Sequence, residues 1–168
     1  MNKNVRLLTQ SAILAALYTV LCHLQNFLFP GSANYAIQFR LAETLCVFAF
    51  FSKAGIYGVS LGCLLFNLTS GAALPLDPII GTAATILATS GMWLLRKATI
   101  KGYPLPGLLL PALFNGFLVG WELQLYIGGG FWYNLICVVI GEAAVLLLAG
   151  SSLYYMIKKI GPHRLGIR

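Results

Sequence analysis

Gln38-Phe39-Arg40-Leu41-Ala42-Glu43 places two opposite charges three residues apart at the mouth of an apolar run that ends at Phe51. Read as the start of a short second membrane-crossing helix, over about 36–51, it sets the topology of the chain, because the side on which each later loop falls depends on it. The composition around it supports a membrane reading. Of the 168 residues, 59% are hydrophobic and only 9% charged, with a mean hydropathy of +0.84; in soluble domains about 25% of residues are charged.

A spanning helix needs about 20 mostly apolar residues, and the sequence supplies six candidates, the second of them short for a span: about 7–29, 36–51, 54–68, 78–95, 108–127 and 131–157. Turn signals separate them at Pro30-Gly31-Ser32, at Lys53 and Gly55, over 70–75, over 102–107 and at Gly128-Gly129-Gly130. The expected fold is an all-α integral membrane protein, a six-transmembrane-helix bundle forming a single domain over residues 1–168. With Lys3 and Arg6 in the cytoplasm, alternation also places Lys53, Arg96, Lys97, Lys101, Lys158, Lys159, Arg164 and Arg168 there, so both termini are expected to be cytoplasmic. Arg40 is the exception to this positive-inside pattern.

The net charge of +7 raises the question of nucleic acid. The Lys and Arg residues fall in short clusters between apolar runs, without a basic aromatic face, so they read as orientation signals and no nucleic-acid partner is expected. The first apolar run is long enough to span and lacks a small-residue cleavage site, so it does not read as a signal peptide. Cys22, Cys46, Cys63 and Cys137 lie inside apolar runs without CxxC spacing and read as buried thiols.

The same map puts Glu43, Asp77 and Glu122 in the outer half and Glu142 near mid-depth. A carboxylate inside a membrane is costly unless it faces a cavity or a partner, which makes each a functional candidate. Together with Gln38, Arg40, Asn67, Asn115 and Gln124 they are expected to form a polar pocket open to the outside. Local alternatives stand beside this. Asp77-Pro78 also reads as a helix cap followed by proline, Arg40 and Glu43 as an i, i+3 ion pair, and Asn67 and Asn115 as interhelical hydrogen bonds. Glu122 and Glu142 neither cap a helix nor have a basic neighbour in sequence, so they are the leading ligand-binding candidates. Tyr35, Phe39, Trp121, Tyr126, Trp132 and Tyr133 either stack on a ligand or form the interfacial aromatic belt.

The phosphate-binding pattern G-x-x-x-x-G-K-[ST] does not occur, so solute movement is passive, ion-coupled or driven by a borrowed ATPase. HExxH and GxSxG are absent, and His23 and His163 lie singly near helix ends; neither an enzyme nor a metal or cofactor is expected. Ser11, Ala12, Ala15, Ala16 and Thr19 form a smooth face on the first helix, suited to packing or to a partner protein. Gly58-x-x-x-Gly62 and Gly116-x-x-x-Gly120 read as packing within the bundle, and Pro111 as a kink.

The residues carry a resemblance. Arg40-Leu41-Ala42-Glu43, Gly62-Cys63-Leu64-Leu65-Phe66-Asn67 and Leu76-Asp77-Pro78-Ile79-Ile80-Gly81-Thr82-Ala83-Ala84-Thr85 resemble the QueT family, substrate-binding S components of energy-coupling factor (ECF) transporters for queuosine precursors. The likeness extends over essentially the whole chain. It implies a multi-pass protein of the bacterial cell membrane that partners a transmembrane coupling protein and two ATPase subunits. It implies docking of that protein at Ala12, Ala15 and Ala16. It also implies a 7-deazaguanine ligand, such as preQ1 or preQ0, bound near Arg40, Glu43, Asn67, Asp77, Asn115, Trp121, Glu122 and Glu142. Carboxylates suit such a ligand because a guanine-like edge presents adjacent N–H donors. An S component for another vitamin or nucleobase, and a self-sufficient ion-coupled carrier, are the alternatives.

Overall fold

The computed structural model describes residues 2–30, 38–71 and 73–163. The turn at Gly31-Ser32, the aromatic Tyr35, the expected start of the second span at Ala36, and Arg164 and Arg168 lie outside the described residues. Within them the structure is helical, with one isolated backbone bridge between Ile100 and Tyr103.

The chain begins with α1 (Lys3–Leu28), followed by a 3-10 helix (Leu41–Phe50), α2 (Lys53–Thr69) and α3 (Asp77–Leu94). A short α4 (Leu105–Leu108) leads into α5 (Leu110–Tyr126); α6 (Phe131–Val145) passes through a π-turn (Leu146–Gly150) into α7 (Ser151–Ile160). Three stretches, Lys3–Leu28, Leu105–Tyr126 and Phe131–Ile160, are long and apolar enough to cross a membrane. Their outward surfaces suit lipid: Phe27 is 82% exposed, Leu94 76% and Leu148 74%. Polarity is inverted relative to a soluble protein, since Arg40 and all four acids are buried.

The described part of the stretch over 36–51 is not wound as an α-helix. It is a ten-residue 3-10 helix, and the neighbouring packing gives a reason. Gly58 of α2 lies against Ser11 and Leu14 of α1, and Gly62 against Ala15 and Tyr18. Both series ascend together, so α1 and α2 run parallel, and the chain must return between them. At about 2.0 Å per residue, ten residues in 3-10 geometry reach about 20 Å, against about 15 Å as an α-helix. The tighter winding lets a short apolar segment cover more of the return. Its residues Ala42, Cys46, Val47 and Ala49 are fully buried.

Close approach of α1 and α2 requires the absence of a side chain: a Cβ on Gly62 would sit 2.7 Å from Cβ of Tyr18 and 2.8 Å from the Ala15 carbonyl. Gly116 and Gly120 play the same part against Leu135 and Val139 of α6. The interruption expected at Pro111 falls at Leu109, between α4 and α5, and Pro111 sits in the first turn of α5, where its missing N–H leaves no intrahelical bond unmade. Gly128, Gly129 and Gly130 turn the chain with φ of 88°, 83° and 83°.

Candidate ligand-binding site

The segment Gln38–Arg40 enters the bundle and is gripped from two sides. On one side, the Gln25 side chain near the end of α1 donates to the Phe39 carbonyl and accepts from the Leu41 amide at 2.9 Å. A single side-chain amide thus supplies the backbone partners of both neighbours of Arg40. On the other side, the Gln38 backbone lies directly on Gly141 of α6: a Cβ there would meet the Gln38 carbonyl oxygen at 2.4 Å. The result is that Gln38 and Arg40 are buried while Phe39 between them points outward, 47% exposed. Neither Gln25 nor Gly141 stands out in the sequence as a site residue. A glutamine near the end of an apolar helix was the available signal for the first; one glycine among eighteen offered none for the second.

Glu43 is enclosed by its own chain. Tyr18 of α1 donates its hydroxyl to Oε1 at 2.6 Å, and the Cys46 thiol donates to Oε2 at 3.0 Å. Glu142 is held across the α5–α6 interface, where Nδ2 of Asn115 donates to both carboxylate oxygens at 3.0 and 2.8 Å. Asn115 therefore serves Glu142 directly, and its own Oδ1 accepts nothing among the described residues.

Asp77 does not cap the forward amides of α3, contrary to the Asp-Pro reading. The helix begins at Asp77 with Leu76 at the cap position, and the Asp77 carboxylate folds back to accept from the Leu74 amide at 2.6 Å. Pro78 has no N–H to offer, and the turn before the helix does. Asn67, at the end of α2, donates to the Asp77 carbonyl at 3.0 Å and so ties the two helices together.

Glu122 stands apart. It is fully buried in α5, yet neither of its oxygens has a hydrogen-bond partner among the described residues. Asp77 and the Leu76 backbone approach it without closing a bond, and Arg40 is near enough to act on it electrostatically. Arg40 also lies within electrostatic reach of Glu142, Asp77 and Tyr18, which makes it the common neighbour of the polar interior.

The structure thus gathers Arg40, Glu43, Asn67, Asp77, Asn115, Glu122 and Glu142 into the bundle interior. It does not bring Trp121 there: that side chain is 47% exposed on the outer face of α5, as Tyr126, Trp132 and Tyr133 are exposed near the same end. On α1, Ala15 is buried against α2, whereas Ala12 and Ala16 face outward. Cys22, Cys46 and Cys63 are buried thiols and Cys137 is partly covered. His23 bonds Thr69 at 2.9 Å and packs edge-on to Phe66. No group of three or more metal-binding side chains occurs among the described residues. A groove of about 650 Å³ runs between α2 and α3, lined by Lys53, Tyr57, Ser60, Thr82 and Trp93 among others, away from the acids.

The family model for the QueT transporter matches residues 8–159. A curated relative, the queuosine precursor transporter QueT of Lactococcus lactis subsp. cremoris, is 30% identical over an alignment that covers 89% of each chain. No solved structure matches.

Proposed function

The chain belongs to the QueT transporter family, and on that premise we propose that it is the substrate-binding S component of an ATP-driven ECF importer, with six membrane crossings and cytoplasmic termini. Its ligand is a queuosine precursor of the 7-deazaguanine class, captured outside the bacterial cell. The observation that carries this reading is the buried, unpartnered carboxylate of Glu122 beside an interior of further acids and amides. An intramembrane carboxylate left without partners is costly, and a ligand edge with adjacent N–H donors supplies what it lacks. Since these atoms are buried, loading is coupled to a movement that uncovers them.

The parallel packing of α1 and α2 supports six crossings, because a return through the 3-10 helix restores the alternation that places the Lys and Arg clusters on one side. The outward-facing pair Ala12 and Ala16 leaves a smooth strip on α1 on which a coupling protein packs closely. Glu43 and Glu142, already bonded within the chain, shape the pocket and hold Tyr18 and Asn115 in place.

Co-expression with a coupling protein and two ATPases tests the proposal. The expected outcome is a stable complex and ATP-dependent uptake of the deazaguanine. Replacing Ala12 and Ala16 by Leu should abolish the complex while leaving ligand binding by the isolated chain intact. Uptake by the lone chain in liposomes, driven by an ion gradient, would overturn the ECF assignment in favour of an ion-coupled carrier.

A further inference from the structure

The groove of about 650 Å³ between α2 and α3 lies apart from the acids, and Tyr57, Leu61, Ile86 and Leu94 on its rim are exposed. Its size is that of a ligand site, about 300–1,000 Å³. The two helices run antiparallel: Gly81 near the start of α3 lies against Asn67 near the end of α2, while Lys53 at the start of α2 and Trp93 at the end of α3 line the groove together. That second end is basic. Arg96 holds its guanidinium 4.1 Å above the Trp93 ring, and its Nη1 donates to the Trp93 carbonyl at 2.7 Å, so a cation is fixed at the mouth opposite Lys53. Neither Lys53 nor Arg96 meets an acid among the described residues, because all four acids are buried in the interior.

Away from the mouth the walls are apolar, with Ile56, Leu61, Leu64 and Ile86 along them. The Ser60 and Thr82 hydroxyls farther in are buried without a partner, but serine and threonine in membrane helices satisfy themselves on a carbonyl of the preceding turn, so the depth of the groove calls for no polar guest. An apolar trough that ends at two cations fits a molecule with an acyl chain and an anionic head. A neutral lipid or an apolar helix would fill the trough and leave the cations unpaired; a soluble anion would do the reverse. We propose that the groove holds an anionic phospholipid, its acyl chain along α2 and α3 and its phosphate between Lys53 and Arg96, whose bonds to it are charge-assisted. The leaflet, the cytoplasmic one, follows from the proposed orientation; nothing else in the inference depends on the transported ligand.

The test titrates the purified chain in detergent with phosphatidylglycerol or with phosphatidylcholine of the same acyl chains and counts bound lipid by native mass spectrometry. The first phosphatidylglycerol should bind about tenfold or more tighter than the first phosphatidylcholine, each basic side chain contributing roughly fivefold. Replacing Lys53→Gln and Arg96→Gln together should remove that preference while phosphatidylcholine binding changes by less than about threefold. Both are exposed positions, where substitutions cost little stability. Replacing Lys158→Gln and Lys159→Gln together removes as much charge outside the groove and should leave the preference in place. Equal affinity of the wild type for the two lipids overturns the site, as does a preference that survives the first pair of changes or falls equally with the second. Displacement of the bound phosphatidylglycerol when a coupling protein assembles on the chain would assign the groove to that protein and overturn the lipid site. Each of these outcomes leaves the deazaguanine reading standing.

Discussion

Glu43 and Glu122 are both fully buried carboxylates of one polar interior, yet their surroundings differ. Glu43 accepts from Tyr18 and Cys46, and the segment that leads to it is gripped by Gln25 and Gly141. Glu122 receives no hydrogen bond among the described residues. Removing a partner from a satisfied buried group costs stability, because the other partner keeps its desolvation penalty. An unsatisfied group already carries that penalty, and relief comes only from what binds there. On the proposed function, the first region serves folding and the second recognition.

The most damaging change for recognition is Glu122→Gln. It should weaken binding of an aminomethyl deazaguanine about 10- to 100-fold, the equivalent of a lost charged hydrogen bond, with no loss of unliganded thermal stability in detergent. A clear drop in unliganded stability would erase the contrast with Glu43. Next comes Gly141→Ala, which drives a methyl group into the Gln38 carbonyl. The expected cost is about 1–3 kcal/mol of stability, as for other overpacked sites, read from chemical unfolding. An unchanged midpoint would show that the Gln38 segment is not pinned.

Tyr18→Phe should cost about 1 kcal/mol by removing one donor from Glu43, while deazaguanine affinity stays within about threefold of the wild type. A large affinity loss there would move the boundary between the two regions. The smallest effect is expected for Asn67→Ala, about 0.6 kcal/mol, in the range of interhelical hydrogen bonds in membranes. A larger loss would mean that the tie between α2 and the start of α3 is worth more than its one bond to the Asp77 carbonyl.

Much of this interior was legible in the sequence for an identifiable reason. In a chain with 9% charged residues, each acid and the misplaced Arg40 announces itself through the cost of putting it in lipid, and seven of the eight residues singled out on charge or amide grounds besides Arg40 are buried with it: Gln38, Glu43, Asn67, Asp77, Asn115, Glu122 and Glu142, while Gln124 is exposed. The partners were not legible. Asn115 meets Glu142 across 27 residues and Tyr18 meets Glu43 across 25, distances over which periodicity carries no register. Gln25 and Gly141 were hidden for the same reason, since their importance comes from a backbone segment that packs on them. The 3-10 winding of Leu41–Phe50 escaped because hydropathy reports that a segment is apolar and not how far it must reach. For Trp121, an aromatic near a helix end has the same signature in a site and in an interfacial belt, and the fold sets it outward.

The most direct test of the division between the two regions is a thermal-shift measurement on wild type, Tyr18→Phe and Glu122→Gln at saturating aminomethyl deazaguanine. Ligand at about 100 times Kd stabilises by about 2.7 kcal/mol, so wild type and Tyr18→Phe should gain similar increments in Tm over their own unliganded values, and Glu122→Gln should gain little at the same concentration. An increment in Glu122→Gln equal to that of the wild type would contradict the account and place recognition elsewhere in the protein.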